Sequence, residues 1–324
     1  MSWFINSLVA LLFSGVGYAQ IGAEPWDWNP SVSNDGRFIV FNSERSGSDD
    51  DLYVFELETG ALVHLLRTPE RQERFPTWSP DGEWVIYQSG DIDGANWQIR
   101  KIRRDGTEDQ MVYDSEYADI GPTYSPDGVQ IAFISQIENG QQHVHVMNAD
   151  GTNVRAITVG TELDDVPGGF GFTQMASWSP DGSRVAFVHG DGESLITDIW
   201  TIAVDGTDPI RITDTPDTVE MGPSFNPSGT LIAASSGTGF YQQYILTLHR
   251  PDGSASFDLD ASAEFHVRPS WMPDGTGIVY HEIIRSGAVI AKFDFAAQSV
   301  ESLCIPGGWE AQVIAQCSEG GRTD

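Results

Sequence analysis

The sequence predicts an all-β protein, a six-bladed β-propeller with four antiparallel strands in each blade. Three observations point there. A short pattern recurs six times: "PSVSNDG" at Pro30, "PTWSPDG" at Pro76, "PTYSPDG" at Pro122, "ASWSPDG" at Ala176, "PSFNPSG" at Pro223 and "PSWMPDG" at Pro269. Its glycines, Gly36, Gly82, Gly128, Gly182, Gly229 and Gly275, follow one another at 46, 46, 54, 47 and 46 residues, a period that marks stacked repeat units. No unit spaces its apolar residues as a helix does, whereas short alternating runs bounded by Asp-Gly turns recur throughout.

Each unit reads as four strands in order. The first leads into the Ser-Pro-Asp-Gly turn, and the second is the alternating run behind it, such as "RFIVFNS" or "VQIAFIS". The third is a β-rich stretch such as "DLYVFEL", "VHVMNA" or "DIWTIAV", closed by a tight turn, "RDGT" at Arg104, "ADGT" at Ala149 or "VDGT" at Val204. Asp-Gly supplies the backbone angles that tight hairpins need. The fourth is a short outer strand such as "VRAIT" or "PIRIT". Along the first strands, Ser31, Thr77, Thr123, Ser177, Ser224 and Ser270 place a small hydroxyl where strands converge on the central axis. Their neighbours Val32, Trp78, Tyr124, Trp178, Phe225 and Trp271 face the other way and should wedge between blades. Phe41, Tyr87, Phe133, Phe187, Ala234 and Tyr280 form a second, largely aromatic layer. Burying each such ring stabilises by roughly 2–3 kcal/mol. The turn aspartates (Asp35, Asp81, Asp127, Asp181, Asp274) are expected to bond turn amides.

The stretches "PTWSPDG…IYQS…DGT" and "ASWSPDGSRVAFVHG…DIWTIAVDGT…RIT" resemble the TolB-type propeller repeat, over residues about 24 to 305. The resemblance implies the fold and leaves function open, because this repeat serves binding proteins, peptidase gates and some polysaccharide lyases. The hydrolase domain of the prolyl oligopeptidases carries a Gly-x-Ser-x-Gly elbow, and no such motif occurs here.

The first residues read differently. "SLVALLF" (Ser7 to Phe13) is a short apolar core, and Gly17 and Ala19 are small residues at a cleavage position, so residues 1–19 are expected to be a secretory signal and residues 20–324 the propeller. That places the protein in the periplasm or outside the cell, with no membrane insertion after cleavage. The two cysteines, Cys304 and Cys317, are expected to form a disulfide in such a compartment. A net charge of −30 argues against nucleic acid and anionic lipid as partners.

Function is sought where the repeats differ, in the loops before the first strand and between the second and third. Three residues before the proline position the units read Asp27, Glu73, Asp119, Thr173, Glu220 and His266. Equivalent positions form a ring, which would crowd four carboxylates around one channel mouth. Such a ring needs a cation or a basic ligand, unless the acids bond neighbouring backbone or the nearby Arg74 and Arg268. Oxygen ligands would suit Ca²⁺ or Mg²⁺, and His266 would admit Mn²⁺ or Zn²⁺. The longest interval adds Asp164 and Asp165, with Phe170 and Phe172 among glycines, as a lip over the same mouth. His143 and His145 share one strand face and read as surface residues, and "DIDGAN" (Asp91 to Asn96) reads as a hairpin loop. Two functions fit. One is a binding or scaffold module holding a protein, peptide or glycan at the acidic mouth. The other is a metal-assisted polysaccharide lyase or hydrolase with its site in the same mouth and His266 as the catalytic group. The absence of a nucleophile motif and of a histidine cluster favours the first.

Overall fold

The computed structural model describes residues 25–47, 49–136, 141–161, 163, 175–190, 196–238, 244–260, 266–284, 287–303 and 305. The leader 1–19, the lip residues Asp164, Asp165, Phe170 and Phe172, the ring residue Thr173 and both cysteines lie outside the described residues. Among the described residues there are 24 strands and no helix long and apolar enough to cross a membrane.

The first repeat unit gives β1 (Asp27–Val32), β2 (Phe38–Ser43), β3 (Asp51–Glu56) and β4 (Leu62–Leu66). The second gives β5 (Arg71–Trp78), β6 (Trp84–Asp91), β7 (Gln98–Arg103) and β8 (Gln110–Tyr113), and the third β9 (Asp119–Tyr124), β10 (Gln130–Gln136), β11 (Gln142–Asn148) and β12 (Arg155–Ala156). The fourth holds β13 (Ser177–Trp178), β14 (Arg184–Gly190), β15 (Thr197–Ala203) and β16 (Ile210–Arg211). The fifth holds β17 (Val219–Phe225), β18 (Ile232–Gly237), β19 (Tyr244–His249) and β20 (Ser256–Asp260), and the last β21 (His266–Trp271), β22 (Gly277–Ile284), β23 (Gly287–Asp294) and β24 (Ser299–Ser302). Within each unit neighbouring strands pair antiparallel, as a meander.

The expected number of blades is corrected. Four separate four-stranded blades stand, not six: β1–β4, β5–β8, β9–β12 and β21–β24. The strands of the fourth and fifth units run together in one eight-stranded sheet. The seam is a parallel pairing of Thr197 in β15 with Val219 in β17. Thr197 closes it: its hydroxyl donates to the Glu220 carbonyl at 2.7 Å and accepts from the Glu220 N–H at 2.9 Å. A threonine at a strand end gives no sequence signal that it will stitch two repeats into one sheet.

The turn chemistry matches its residues. Asp127 accepts from the Ser125 hydroxyl (2.6 Å) and the Val129 N–H (3.0 Å), and these bonds hold its carboxyl below the usual range. In the fifth unit, where Ser228 replaces the turn aspartate, the side chain of Asn226 accepts from Thr230 N and Leu231 N instead. The wedge residues Val32, Trp78, Trp178, Phe225 and Trp271 are buried, Tyr124 is half-buried, and the second aromatic layer is fully enclosed. The apolar clusters lie between units rather than within them. One joins Val40, Leu52 and Val54 to Trp78, Val85 and Tyr87; another joins Val32, Ile39 and Phe41 of the first unit to Met272, Val279 and Ile290 of the last.

Candidate functional site: the central cavity

The first strands are bent by one local device. Immediately before the proline, Asn29, Phe75, Gly121, Gly222 and Arg268 adopt left-handed backbone angles, with φ between 54° and 64°. At each place the register with the second strand shifts. This is a β-bulge, which turns the strand end and re-aims side chains. Beyond the bulges, a cavity of about 500 Å³ is bounded by all six hydroxyl residues, Ser31, Thr77, Thr123, Ser177, Ser224 and Ser270. The turn prolines Pro80, Pro126, Pro180, Pro227 and Pro273 also bound it. Each hydroxyl residue is half-buried, and all but Thr123 lie between buried neighbours, as expected for side chains that meet on an axis. Several also tie units together. Ser270 Oγ accepts from Val32 N and Ser177 Oγ from Phe225 N, both at 3.1 Å, and Thr77 Oγ1 donates to the Pro122 carbonyl at 2.9 Å.

Arg268 is the charged residue in this wall among the described residues. Its guanidinium carbon lies 4.0 Å from the centre of the Phe75 ring, within cation–π range. Burial deep in the channel, with a smaller push from the like charge of Arg74, lowers its pKa to about 9. Gly222 makes room opposite: a Cβ there would sit 3.3 Å from both Cα and Cγ of Arg268.

The predicted carboxylate ring has a different character. Asp27, Glu73, Asp119 and Glu220 are all buried, and none bounds the cavity. Each stands opposite a serine of its own second strand, in the pairs Asp27–Ser43, Glu73–Ser89, Asp119–Ser135 and Glu220–Ser236. Asp27 is ion-paired with buried Arg45 at 2.6 Å. Asp119 accepts from Ser135 Oγ (2.6 Å), Ser115 N (2.8 Å) and Ser115 Oγ (3.1 Å). Glu220 accepts from Ser236, which continues through Thr247 (2.6 Å) and His249 Nε2 (2.8 Å) to Ser256 on His249 Nδ1 (2.9 Å). Burial raises Glu220 to about 8 and lowers His249 to about 4. Glu73 is also raised by burial, to about 8; Thr68 pulls the other way, but neither carboxylate oxygen makes a hydrogen bond. His266 lies in β21 opposite Glu282. Among the described residues, no three His, Cys, Asp or Glu side chains are grouped to hold a metal ion.

Other expectations resolve simply. His143 is buried, with Nδ1 2.9 Å from the Thr158 hydroxyl, so it is not a surface residue. The stretch Asp91 to Asn96 is a loop closed by Gly94 N on the Asp91 carbonyl at 2.8 Å. The reading from sequence missed Arg268 as a cavity residue and took it only as a neutraliser of the acids. It also missed a chain in which Asn29 donates to Asn42, Asn42 to Asp50, and Arg74 to Asp50 at 2.5 Å. One signal was available for the acids: a serine follows each of the four by sixteen residues, the offset of the strand register.

Comparison with known proteins agrees with this architecture. Residues 23–170 match the TolB beta propeller domain family. An uncharacterized protein of Agrobacterium fabrum, Atu1656, is 32% identical over 168 residues, covering 50% of this chain and 53% of the relative. The Tol-Pal system protein TolB of Francisella tularensis subsp. mediasiatica is 24% identical over 250 residues, covering 75% of this chain and 54% of the relative. The chain thus spans about half the length of these two relatives. The crystal structure of TolB from Acinetobacter baumannii superposes with a TM-score of 0.64 at 14% identity, over 90% of this chain and 66% of that one, a likeness of fold alone.

Proposed function

The chain carries a TolB-like β-propeller, and from that premise we propose that it is a binding module of the periplasm that holds a polypeptide segment of a protein partner in its central cavity. One observation carries this reading: a cavity of about 500 Å³, in the size range of ligand sites, to which every repeat unit contributes a hydroxyl. A polypeptide offers N–H and C=O groups along its length, and a ring of hydroxyls can donate to or accept from either. The proline rim adds rigid apolar surface that loses little entropy on contact. The acidic exterior repels anionic polymers, which favours protein over a uronic-acid glycan.

A photo-crosslinking amino acid at Asn34, an exposed residue of the cavity rim, tests the reading in the native cell. One protein adduct is expected from that position. None is expected from Val63, which is exposed on an outer strand. Pro227→Trp, which narrows the rim, should abolish the adduct. Equal capture from both positions, or capture unaffected by the blocked rim, would remove the cavity from the function.

A further inference from the structure

We propose that the cavity grips a polypeptide by its main-chain carbonyls, and that Ser31, Thr123 and Ser224 are the hydroxyls that grip it, while Thr77, Ser177 and Ser270 hold the units together. This rests on the binding function proposed above. The six hydroxyls are equivalent in sequence, but the wedge residue of the following unit divides them into two sets. Where that wedge is a tryptophan, its indole brings a donor of its own. Trp78, Trp178 and Trp271 give their N–H to the main-chain carbonyls of Ser31, Thr123 and Ser224. The hydroxyls of those three residues bound the cavity and have no hydrogen-bond partner among the described residues. Where the wedge is Val32 or Phe225, the side chain has no donor, and the main-chain N–H takes the preceding hydroxyl, Ser270 or Ser177. Thr77, which precedes the unit of Tyr124, gives its hydrogen to the Pro122 carbonyl. The tryptophans stand in every second unit, so free and engaged hydroxyls alternate around the cavity.

The chemistry of the guest follows from what the wall still lacks. Ser31, Thr123 and Ser224 each keep a hydrogen to donate, and the main-chain carbonyls beside them already accept from the tryptophans. A donor shut away from water without an acceptor costs the full desolvation of that group, and orphaned donors are rarer in proteins than under-used oxygens. A guest that fills the cavity must therefore bring acceptors. A polypeptide brings one carbonyl for every residue, whatever its side chains, and a proline brings it with no N–H at all. The net charge of −30 disfavours an anion as the source of those acceptors. Ser177 and Ser270 also keep a hydrogen, but their oxygens are tied to the main chain of the next unit, so their first role is in the frame.

The test uses N-acetylated, amidated random hexapeptides without charged side chains, in three backbone forms. One has ordinary amides, one is N-methylated at alternate positions, and one has esters in place of those amides. Both changes remove the N–H; N-methylation keeps a strong carbonyl acceptor and the ester weakens it. Each form is equilibrated across a dialysis membrane with the wild type, S31A/T123V/S224A, S177A/S270A and P227W, and retained peptide is read by mass spectrometry. Thermal melts of each protein accompany the binding. The wild type is expected to retain the amide and N-methylated forms alike and the ester form about ten-fold less, as for weakened hydrogen bonds at several places. S31A/T123V/S224A should melt close to the parent, retain the amide form about ten-fold less, and no longer distinguish it from the ester. S177A/S270A should melt lower and lose less retention than the first variant. If the N-methylated form is lost as fully as the ester, the cavity reads N–H groups and the carbonyl inference is wrong, while the binding function stands. If folded S31A/T123V/S224A holds the peptides as the wild type does, or if it melts far below the parent or fails to fold, these three hydroxyls are not the gripping set. If no form shows binding that P227W blocks, the polypeptide-binding function itself fails and this inference falls with it.

Discussion

Glu220 shows what burial does to a carboxyl in this fold. Enclosed in β17, it is raised to about 8 by desolvation, against which the Ser236 hydroxyl is a smaller effect. In the unfolded chain the same group titrates near its ordinary value of 4.5. Below that pH both states carry the proton. Between about 4.5 and 8 only the unfolded state gives it up, so stability falls as pH rises through this window. Glu73, also raised to about 8, acts in the same direction. E220Q keeps the shape and removes the titration. Urea unfolding at pH 5 and pH 8.5 should therefore show the variant close to the parent at the lower pH and more stable at the higher, by a few kcal/mol in order of magnitude. A parent whose stability is flat over this range would show that Glu220 is not held protonated. Burial also pushes the Asp119 carboxyl up, but here several hydrogen bonds pull against it. It accepts bonds from Ser115 and Ser135, so D119N replaces acceptors by donors and should cost about 1–3 kcal/mol at neutral pH. The sequence placed both residues at equivalent positions but did not tell these environments apart. Identity and spacing were legible; whether a serine, an arginine or nothing lies within reach depends on side-chain direction and loop path. Arg268 was hidden for the same reason, because nothing in "VRPSW" announces that its arginine sits at a bulge with a positive φ.

At the scale of the element, five of the six first strands are tied to the unit before them by a bond from the wedge residue. Trp78, Trp178 and Trp271 donate their indole N–H to the carbonyls of Ser31, Thr123 and Ser224, at 3.0, 3.2 and 2.9 Å. Where the wedge is Val32 or Phe225, its backbone N–H goes instead to the hydroxyl of the preceding unit. W78F keeps most of the apolar burial and leaves a part-buried carbonyl without its donor, so it should cost about 1–3 kcal/mol. S177A should cost a similar amount by orphaning Phe225 N. Denaturant midpoints compare them, and a neutral result for both would mean that apolar packing alone joins the units. The hairpin turns make a second tie. Gly151, at φ 85°, packs so closely on the preceding unit that a Cβ would stand 2.1 Å from the Val112 carbonyl oxygen. G151A should therefore destabilise by more than the conformational strain of about 1 kcal/mol that a left-handed alanine carries by itself. These turns were legible because Asp-Gly-Thr states its own geometry, and Asp150 accepts from both N and Oγ1 of Thr152 as the motif requires. The number of separate sheets was not legible, because it hangs on the one parallel pairing at Thr197.

At the scale of the molecule, the question is what joins the last unit to the first. Three described features do so. Trp26 forms a parallel bridge to Ala288 in β23, the counterpart of the Thr197–Val219 seam. Ser270 Oγ accepts from Val32 N, and a Cβ on Gly36 would lie 3.3 Å from the Pro273 ring. Beneath them, Val32, Ile39 and Phe41 share an apolar cluster with Met272, Val279 and Ile290. The period of the repeats made a closed ring the natural expectation, and these contacts supply the closure that sequence spacing does not describe. They also determine what removal of one unit does. Deleting Arg268 onward strips the first unit of the partners that enclose Val32, Ile39 and Phe41. It also strips the fifth of Trp271, Ile278 and Tyr280, which enclose Ala233, Leu246 and Leu248. Two broad apolar faces then meet water at once, each worth about 25 cal/mol for every Å² uncovered. A domain has only about 5–15 kcal/mol of net stability, which two such faces exceed. An open stack of repeats would lose only the last unit and keep the rest, since each unit there leans on its neighbours in one dimension. The ring predicts instead that the truncated chain has no cooperative thermal transition and aggregates or is degraded. Calorimetry and size-exclusion chromatography of the shortened protein distinguish the two. A monomeric fragment that melts sharply would show that the contacts between the first and last units are incidental to the fold.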